Sequence, residues 1–430
     1  MTRTGKRRPA HQRGMGRREF LLRAMAGGAA FAMPTIIPSS ALGLGGRKAP
    51  GERIVIAGIG IGRRGRNLID FLLPESGVQI VADADVRRER REDVKRVVDA
   101  HYGNSDCKLY RDYREVLERP DIDAVVIATG NRWHTMASIH AAKAGKDIYC
   151  EKPISMTIAE SRALAAAMDQ YGTVFQAGTQ LRSIGNYQFA VNLARDGKLG
   201  RVHTVHAETM ASKMSDSWLP AEPEPPKEEC DWDTWLGPCP WRPYNRQLLN
   251  GWHHKRDFGS VLLDWGVHSV DICQWAIDAD RTSAVEYEPT EEGGIARFAN
   301  GVKLVVRSSG WMGLGGCAVR FEGDEGWVEA GIQGEVRVHP ASLLGERRSK
   351  LAEGISASGH GRDFLNCIRT RGLPQANHIV ASSAHCTCHA MEISRELGRP
   401  LKWDPSRNEF SGDDAANRRR SRAMREPWRI

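Results

Sequence analysis

The chain has 430 residues, 41% of them hydrophobic and 27% charged, a length that exceeds what one hydrophobic core ordinarily serves and so predicts two domains. Its formal charge of +8 is misleading, because residues 1–50 hold ten Lys or Arg against one acid, leaving 51 basic and 52 acidic side chains for the remainder. That near-neutral body offers no footprint for nucleic acid, and no apolar run beyond the N-terminus approaches the ~18 residues that span a bilayer, so neither nucleic acid nor a membrane is expected as a partner of the mature form.

Residues 1–45 read as a signal and linker. Arg17 and Arg18 precede Phe20, Leu21 and Leu22, a weakly apolar Ala/Gly-rich run follows to about Ile37, and the small residues Ser39, Ser40 and Ala41 close it. This layout resembles a bacterial twin-arginine export signal, which implies the twin-arginine machinery as a partner and a periplasmic destination.

The next stretch, Ile54 to Gly65, organises the first domain, expected over residues 51–175. Ile54, Val55, Ile56 and Ala57 read as a buried parallel strand, and Gly60, Gly62 and Gly65 then fall at GxGxxG spacing before Asn67, Leu68, Ile69, Phe71 and Leu72 open a helical pattern. Such glycines serve a dinucleotide: one for the tight turn, one for backbone approach to a pyrophosphate, one for helix packing on strand. A second apolar run, Val78 to Ala82, leads to Asp85, placed to accept the ribose hydroxyls of an adenosine. The cofactor is therefore NAD or NADP; Asp85 favours NAD, and Arg87 and Arg88 leave a 2′-phosphate open. Export of a folded protein would carry that cofactor out already bound.

Helices are expected from Arg87 to Ala100 and from Tyr113 to Leu117, and Ala124 to Ala128 reads as the next buried strand. Thr129, Asn131 and His134 are assigned to the loop at its carboxyl end, where parallel sheets bind ligands, ahead of a helix from Met136 to Ala144. Asp147 to Cys150 reads as another strand, running directly into Glu151, Lys152 and Pro153. A lysine fixed there by proline can polarise a carbonyl or share a proton with a hydroxyl.

The glycine fingerprint, Asp85, Asn131 with His134, and Glu-Lys-Pro at 151 to 153 together resemble the Gfo/Idh/MocA oxidoreductases. Gly259 to Asp271 (GSVLLDWGVHSVD) extends the likeness, with Asp264 and His268 at i and i+4 on an expected helix. The resemblance implies catalytic roles for Lys152, Asp264 and His268, and cofactor contacts from Gly60, Gly62, Gly65, Asp85, Thr129, Asn131, His134 and Glu151. Gly130 and Asn131 depart from the Pro and Asp or Asn more usual after Thr129. The fold implied is a Rossmann-type α/β doubly wound parallel sheet, followed over 176–430 by an α+β domain whose large, mainly antiparallel sheet covers the nicotinamide on one face and joins a homo-oligomer on the other.

Strands consistent with that sheet are expected at Val202 to Glu208, Ala296 to Phe298, Val302 to Ser308, Ala318 to Glu322 and Trp327 to Ala330. Gln180 and Arg182, on a strand entering this half, and Trp252 are substrate-side candidates. Pro220 to Pro243 reads as a long ordered loop, and its tryptophans 232, 235 and 241, with Trp252, could stack on sugar rings or form the loop's own small core. Helices are expected from Asp363 to Ile368 and from Ala381 to Leu397, and the Arg-rich tail from Arg418 is expected to pack across a neighbour or stay solvated. Nine scattered cysteines form no disulfide framework, and His385, Cys386, Cys388 and His389 read as structural, so no metal is expected. The function implied is hydride transfer between a nicotinamide cofactor and a sugar, cyclitol or sugar derivative. Two rivals stand beside it: an NAD-dependent glycosidase working by transient oxidation, elimination and re-reduction, and a non-catalytic sugar-binding protein.

Overall fold

A computed structural model describes residues 52–430 apart from 211–213, 261, 310–313, 315 and 354–357. The leader, and with it the export signal, lies outside the described residues. The first half alternates strand and helix: β1 (Ile54–Ile59), α1 (Arg63–Leu72), β2 (Val78–Ala84), α2 (Arg88–Tyr102), β3 (Lys108–Tyr110), α3 (Tyr113–Leu117), β4 (Ala124–Ile127), α4 (Asn131–Lys143), β5 (Asp147–Cys150), α5 (Ile158–Tyr171) and β6 (Phe175–Ala177). Apolar runs such as AVVI in β4, buried at every position, are what a sheet covered on both faces demands. The strands pair in parallel in the order β3-β2-β1-β4-β5-β6, a doubly wound sheet. Helix α1 buries Gly65, Leu68, Ile69 and Leu72, a stripe at helical spacing.

Two boundaries differ from expectation. Helix α1 begins at Arg63, directly after the extended Gly62, rather than near Asn67. Helix α4 begins at Asn131, with extended Gly130 before it, so Asn131 and His134 lie in its first turns and not in a loop. Periodicity missed this start because nearly the whole first half of the helix is buried and shows no amphipathic stripe.

The second half begins with α6 (Gly185–Arg195) and β7 (Val202–Glu208), passes two short helices, α7 (Trp232–Leu236) and α8 (Arg246–Gly251), and reaches a π-helical turn, Leu262–Gly266, that runs into α9 (Val267–Ala276). Then come β8 (Glu286–Pro289), β9 (Gly294–Arg297), β10 (Lys303–Arg307), β11 (Val319–Gly323), β12 (Trp327–Ala330), β13 (Val336–His339), α10 (Ser358–Thr370), α11 (His378–Leu397), β14 (Leu401–Asp404), β15 (Glu409–Phe410) and α12 (Asp414–Arg418). The sheet has nine strands in the order β13-β12-β11-β7-β10-β9-β8-β14-β15; β7 and β10 are parallel and the other neighbours antiparallel. One of its faces packs on α6, α9 and α11 through a core that includes Leu181, Tyr187, Val205, Val270, Leu304, Phe321 and Met391.

The two sheets belong to one compact unit, Arg53–Ile430, and segments of the second half return to the first. Cys230, Trp232, Trp235, Leu236, Tyr244, Leu248 and Phe258 form a separate small core, so Trp232 and Trp235, stacked at 4.6 Å, hold the long loop together. The loop docks on the edge beyond β2, where the Asp231 amide donates to Val86 O at 3.1 Å and Arg88 pairs with Glu229 at 2.6 Å. The C-terminal tail, much of it exposed, returns to its own chain at two points. Arg422 pairs with buried Glu160 at 2.8 Å, and Trp428 sits edge-on to Trp133 with ring centres 4.8 Å apart. All nine cysteines are buried and unpaired.

Candidate active site

At the carboxyl ends of β1, β2 and β4 lies a cavity of 480 Å³, walled by Gly60, Gly62, Arg64, Asp85, Thr129 and Gly130 and flanked by Trp235 of the long loop and Trp252, which follows α8. Gly60 has φ +69°, and a Cβ there would come within 2.8 Å of the Thr129 Cα. At Gly62 an added Cβ would meet no protein atom within 4 Å, so this glycine is not required by the fold and leaves room for a ligand instead. Gly65 does not line the cavity; a Cβ on it would press the Ala128 methyl at 2.8 Å, which is the helix-on-strand contact. The N-terminus of α1 therefore opens on a glycine-walled hollow with a carboxylate, Asp85, on the far wall. These residues fit a dinucleotide: backbone N–H groups for the pyrophosphate, Asp85 for a ribose. Asp85 Oδ1 accepts from the Arg87 amide at 2.8 Å, and burial raises its pKa. Arg132, buried against Trp235 with its guanidinium carbon 3.9 Å from the ring centre, has its pKa pushed down to about 10 by burial.

Beyond Thr129 the groups expected to do chemistry converge. Asn131 Nδ2 donates to Asp264 Oδ1 at 2.8 Å, and the Lys152 ammonium donates to the backbone carbonyl of Asp264. His268 is buried, and its Nδ1 has no hydrogen-bond partner among the described residues. Burial pushes its pKa well below the ordinary imidazole range, and the positive charges of Lys152 and Arg64 press it further, which favours the neutral ring. Asp264 does not hydrogen-bond His268. Its second oxygen accepts from the Ser260 amide at 3.4 Å, and its pKa is raised by burial against the opposing pull of Lys152 and Asn131. The expected Asp-to-His support is thus absent; the carboxylate ties the π-turn to α4 instead.

Several assignments move one layer outward. Glu151 is buried, accepting from Arg64 Nε at 2.8 Å and from Gln180 Nε2 at 3.2 Å, so it holds Arg64 at the cavity wall without lining it. His134 is also a support: Nδ1 lies 2.7 Å from Pro153 O and Nε2 3.1 Å from Thr129 O, joining the cavity loop to the lysine loop. Gln180 and Arg182 lie in a 3-10 turn, Gln180–Ser183, and not on a strand. Arg182 is buried in a forked pair with Asp271, both bonds 2.7 Å, and reaches Asp280 at 2.6 Å, which removes it from the substrate side. Trp252 lines the dinucleotide cavity, away from the lysine.

Residues that local sequence reading misses hold the lysine in place. His385 Nε2 accepts from the Ile154 amide at 3.0 Å while its Nδ1 lies 2.7 Å from Ala381 O, and His389 Nε2 lies 3.1 Å from Ser155 Oγ. Thr135 Oγ1 donates to Ile154 O at 2.7 Å. The chain after Lys152 is clamped between α4 and α11, and the spacing of His385 and His389, one helical turn apart, was the available signal.

A glycine-walled cavity at the topological switch of a parallel sheet, with a lysine, a histidine and a carboxylate drawn from both halves beyond it, is the arrangement of a two-domain dinucleotide-binding protein. The chain matches "Oxidoreductase family, NAD-binding Rossmann fold" over residues 53–179 and "Oxidoreductase family, C-terminal alpha/beta domain" over 215–430. It belongs to the Gfo/Idh/MocA oxidoreductase family.

Among curated relatives, an uncharacterized oxidoreductase of Bacillus subtilis (strain 168) is 25% identical over 231 residues, covering 54% of this chain and 56% of that protein. Myo-inositol 2-dehydrogenase of Thermotoga maritima is 27% identical over 264 residues, covering 58% and 67%. The chain spans about half the length of the first relatives it matches, 56% and 50%. Levoglucosan dehydrogenase in complex with NADH shares the fold, with a TM-score of 0.60 at 18% identity over 81% of this chain and 99% of that one.

Proposed function

We propose that the protein is an NAD-dependent dehydrogenase of a sugar, cyclitol or sugar derivative, with residues 51–175 holding the cofactor and 176–430 the substrate. The observation that carries this reading is the glycine-walled cavity fitted to a dinucleotide, with Lys152 at the carboxyl end of β5 held on the Asp264 carbonyl and the buried His268 one helical turn beyond Asp264. The dinucleotide, when bound, supplies the acceptor or donor of hydride. The chain's own part is to handle the proton and the charge. His268 takes the proton of the substrate hydroxyl, and Lys152, steadied by the Asp264 carbonyl and the clamp behind Ile154, donates to the oxygen as its charge develops. Relatives named as myo-inositol 2-dehydrogenase and scyllo-inositol 2-dehydrogenase (NAD(+)) support the substrate class. Asp85 on the cavity wall supports NAD as the form used. The twin-arginine leader supports export to the periplasm, and the second sheet is the surface for a homo-oligomer.

The test is NAD reduction, followed by absorbance, with cyclitols and aldoses. Lys152→Met should lose about 10²- to 10⁴-fold in kcat while NADH still binds. A variant that turns over like the wild type would remove the lysine from the chemistry, and retention of the protein in the cytoplasm of a producing bacterium would remove export.

A further inference from the structure

One large apolar side chain beside the reacting groups has no role in the account above. In the π-turn Leu262–Gly266, Leu262, Leu263 and Gly266 are buried and Asp264 faces Asn131, yet Trp265 is 45% exposed. The turn is seated tightly: a Cβ on Gly266 would lie 3.0 Å from Thr209 Oγ1, so the backbone is pressed inward and the indole stands outward. The Lys152 Nζ lies 5.5 Å from the centre of the Trp265 ring. Trp265 was not among the tryptophans expected to stack on sugars; of those, Trp232 and Trp235 belong to the loop's small core, Trp252 lines the dinucleotide cavity, and Trp241 is 59% exposed on the long loop.

A single exposed indole is ordinary on a surface, and Trp218 and Trp241 are more exposed; what sets Trp265 apart is the Lys152 ammonium over its ring. The ligand chemistry follows from its neighbours. An ammonium that donates to a hydroxyl and, beside it, a flat apolar face together match a saturated ring that carries hydroxyls at its rim and a patch of C–H bonds on one face. An open-chain polyol presents no such face. Resting on the dehydrogenase reading, we propose that Trp265 is the stacking platform for a pyranose or cyclitol ring and sets a preference for cyclic over open-chain substrates.

The experiment compares wild type, Trp265→Phe, Trp265→Leu and Trp265→Ala, with NAD, on myo-inositol, D-glucose and 1,6-anhydroglucose as rings and sorbitol as the open chain. Trp265→Ala and Trp265→Leu should raise KM for the ring substrates about tenfold, with kcat within about threefold. KM for sorbitol and the affinity for NADH should not move, and Trp265→Phe should lie near wild type. Leu keeps apolar bulk, so it reports on the flat face even if the Ala variant folds poorly. Ring KM values within twofold of wild type in the Leu variant, an equal change for rings and sorbitol, or wild-type turnover of sorbitol alone would overturn the platform and leave the dehydrogenase reading standing. No NAD-linked turnover of any of the four by wild type would instead overturn that reading and this inference with it.

Discussion

Gly62→Ala separates what the fold needs from what the cofactor needs. An added Cβ meets nothing within 4 Å, and the residue has ordinary φ, −85°, as the N-cap of α1. Ala is poorer than Gly at an N-cap by about 0.5–1 kcal/mol, and Gly→Ala recovers about 0.4–1 kcal/mol through the unfolded chain, so stability should change by less than about 0.5 kcal/mol. The methyl would nevertheless project into the 480 Å³ cavity, between a pyrophosphate and the amides of α1. Losing one charge-assisted hydrogen bond there costs about 1.5–3 kcal/mol, which is about 10- to 100-fold in NADH affinity. Gly60→Ala is the contrast. Its φ of +69° and the 2.8 Å approach to the Thr129 Cα should cost about 2 kcal/mol or more before any ligand is added. Thermal unfolding of nucleotide-free protein and fluorescence titration with NADH give the two readouts. Unchanged NADH affinity in Gly62→Ala would refute the pyrophosphate cradle, and equal destabilisation by both variants would refute the distinction between them.

His385→Ala strips the acceptor from the buried Ile154 amide, at a cost of about 1–3 kcal/mol, and should lower kcat about tenfold with NADH affinity intact; wild-type kcat would dismiss the clamp. Arg182→Met leaves Asp271 buried without its counter-charge and should cost about 3–5 kcal/mol in urea unfolding, with KM unchanged in the folded fraction. A KM rise would restore Arg182 to the substrate. The His360 pKa is held down to about 4 by burial, below the unfolded value near 6.5, so the folded state prefers the neutral ring. Its contribution is fully present above pH 6.5 and is lost as pH falls towards 4. His360→Gln should therefore lower the slope of stability against pH near 5 by about 1.4 kcal/mol per unit, one proton's worth; parallel slopes would show that His360 titrates normally.

Most of the parallel sheet was legible because its longer elements announce themselves locally, β1 and β4 by unbroken apolar runs and α1 by its stripe, whereas β3 and β6, three residues each, and α5 were not expected. The place of Lys152 at the carboxyl end of β5 was legible for a related reason, since that strand is a short buried run. What stayed hidden depends on partners far apart in the chain. Arg182 reads as a substrate-side candidate until the fold brings it within 2.7 Å of Asp271, and Glu151 reads as a cofactor contact until Arg64 is seen on it. The short strands β8, β13, β14 and β15, of which β13 and β15 are the sheet's edges, carry too few residues to show alternation.

The site has the same character as a whole. Asn131 of the first half fixes Asp264 of the second, while His385 of the second fixes the chain just after Lys152 of the first. Each half thus orients a group carried by the other, so neither half alone can present the lysine and the histidine together. On the dehydrogenase reading, turnover should therefore depend on the two halves being docked, and the contacts that dock them, Arg422 on Glu160 and Trp428 on Trp133, should act on it without touching substrate.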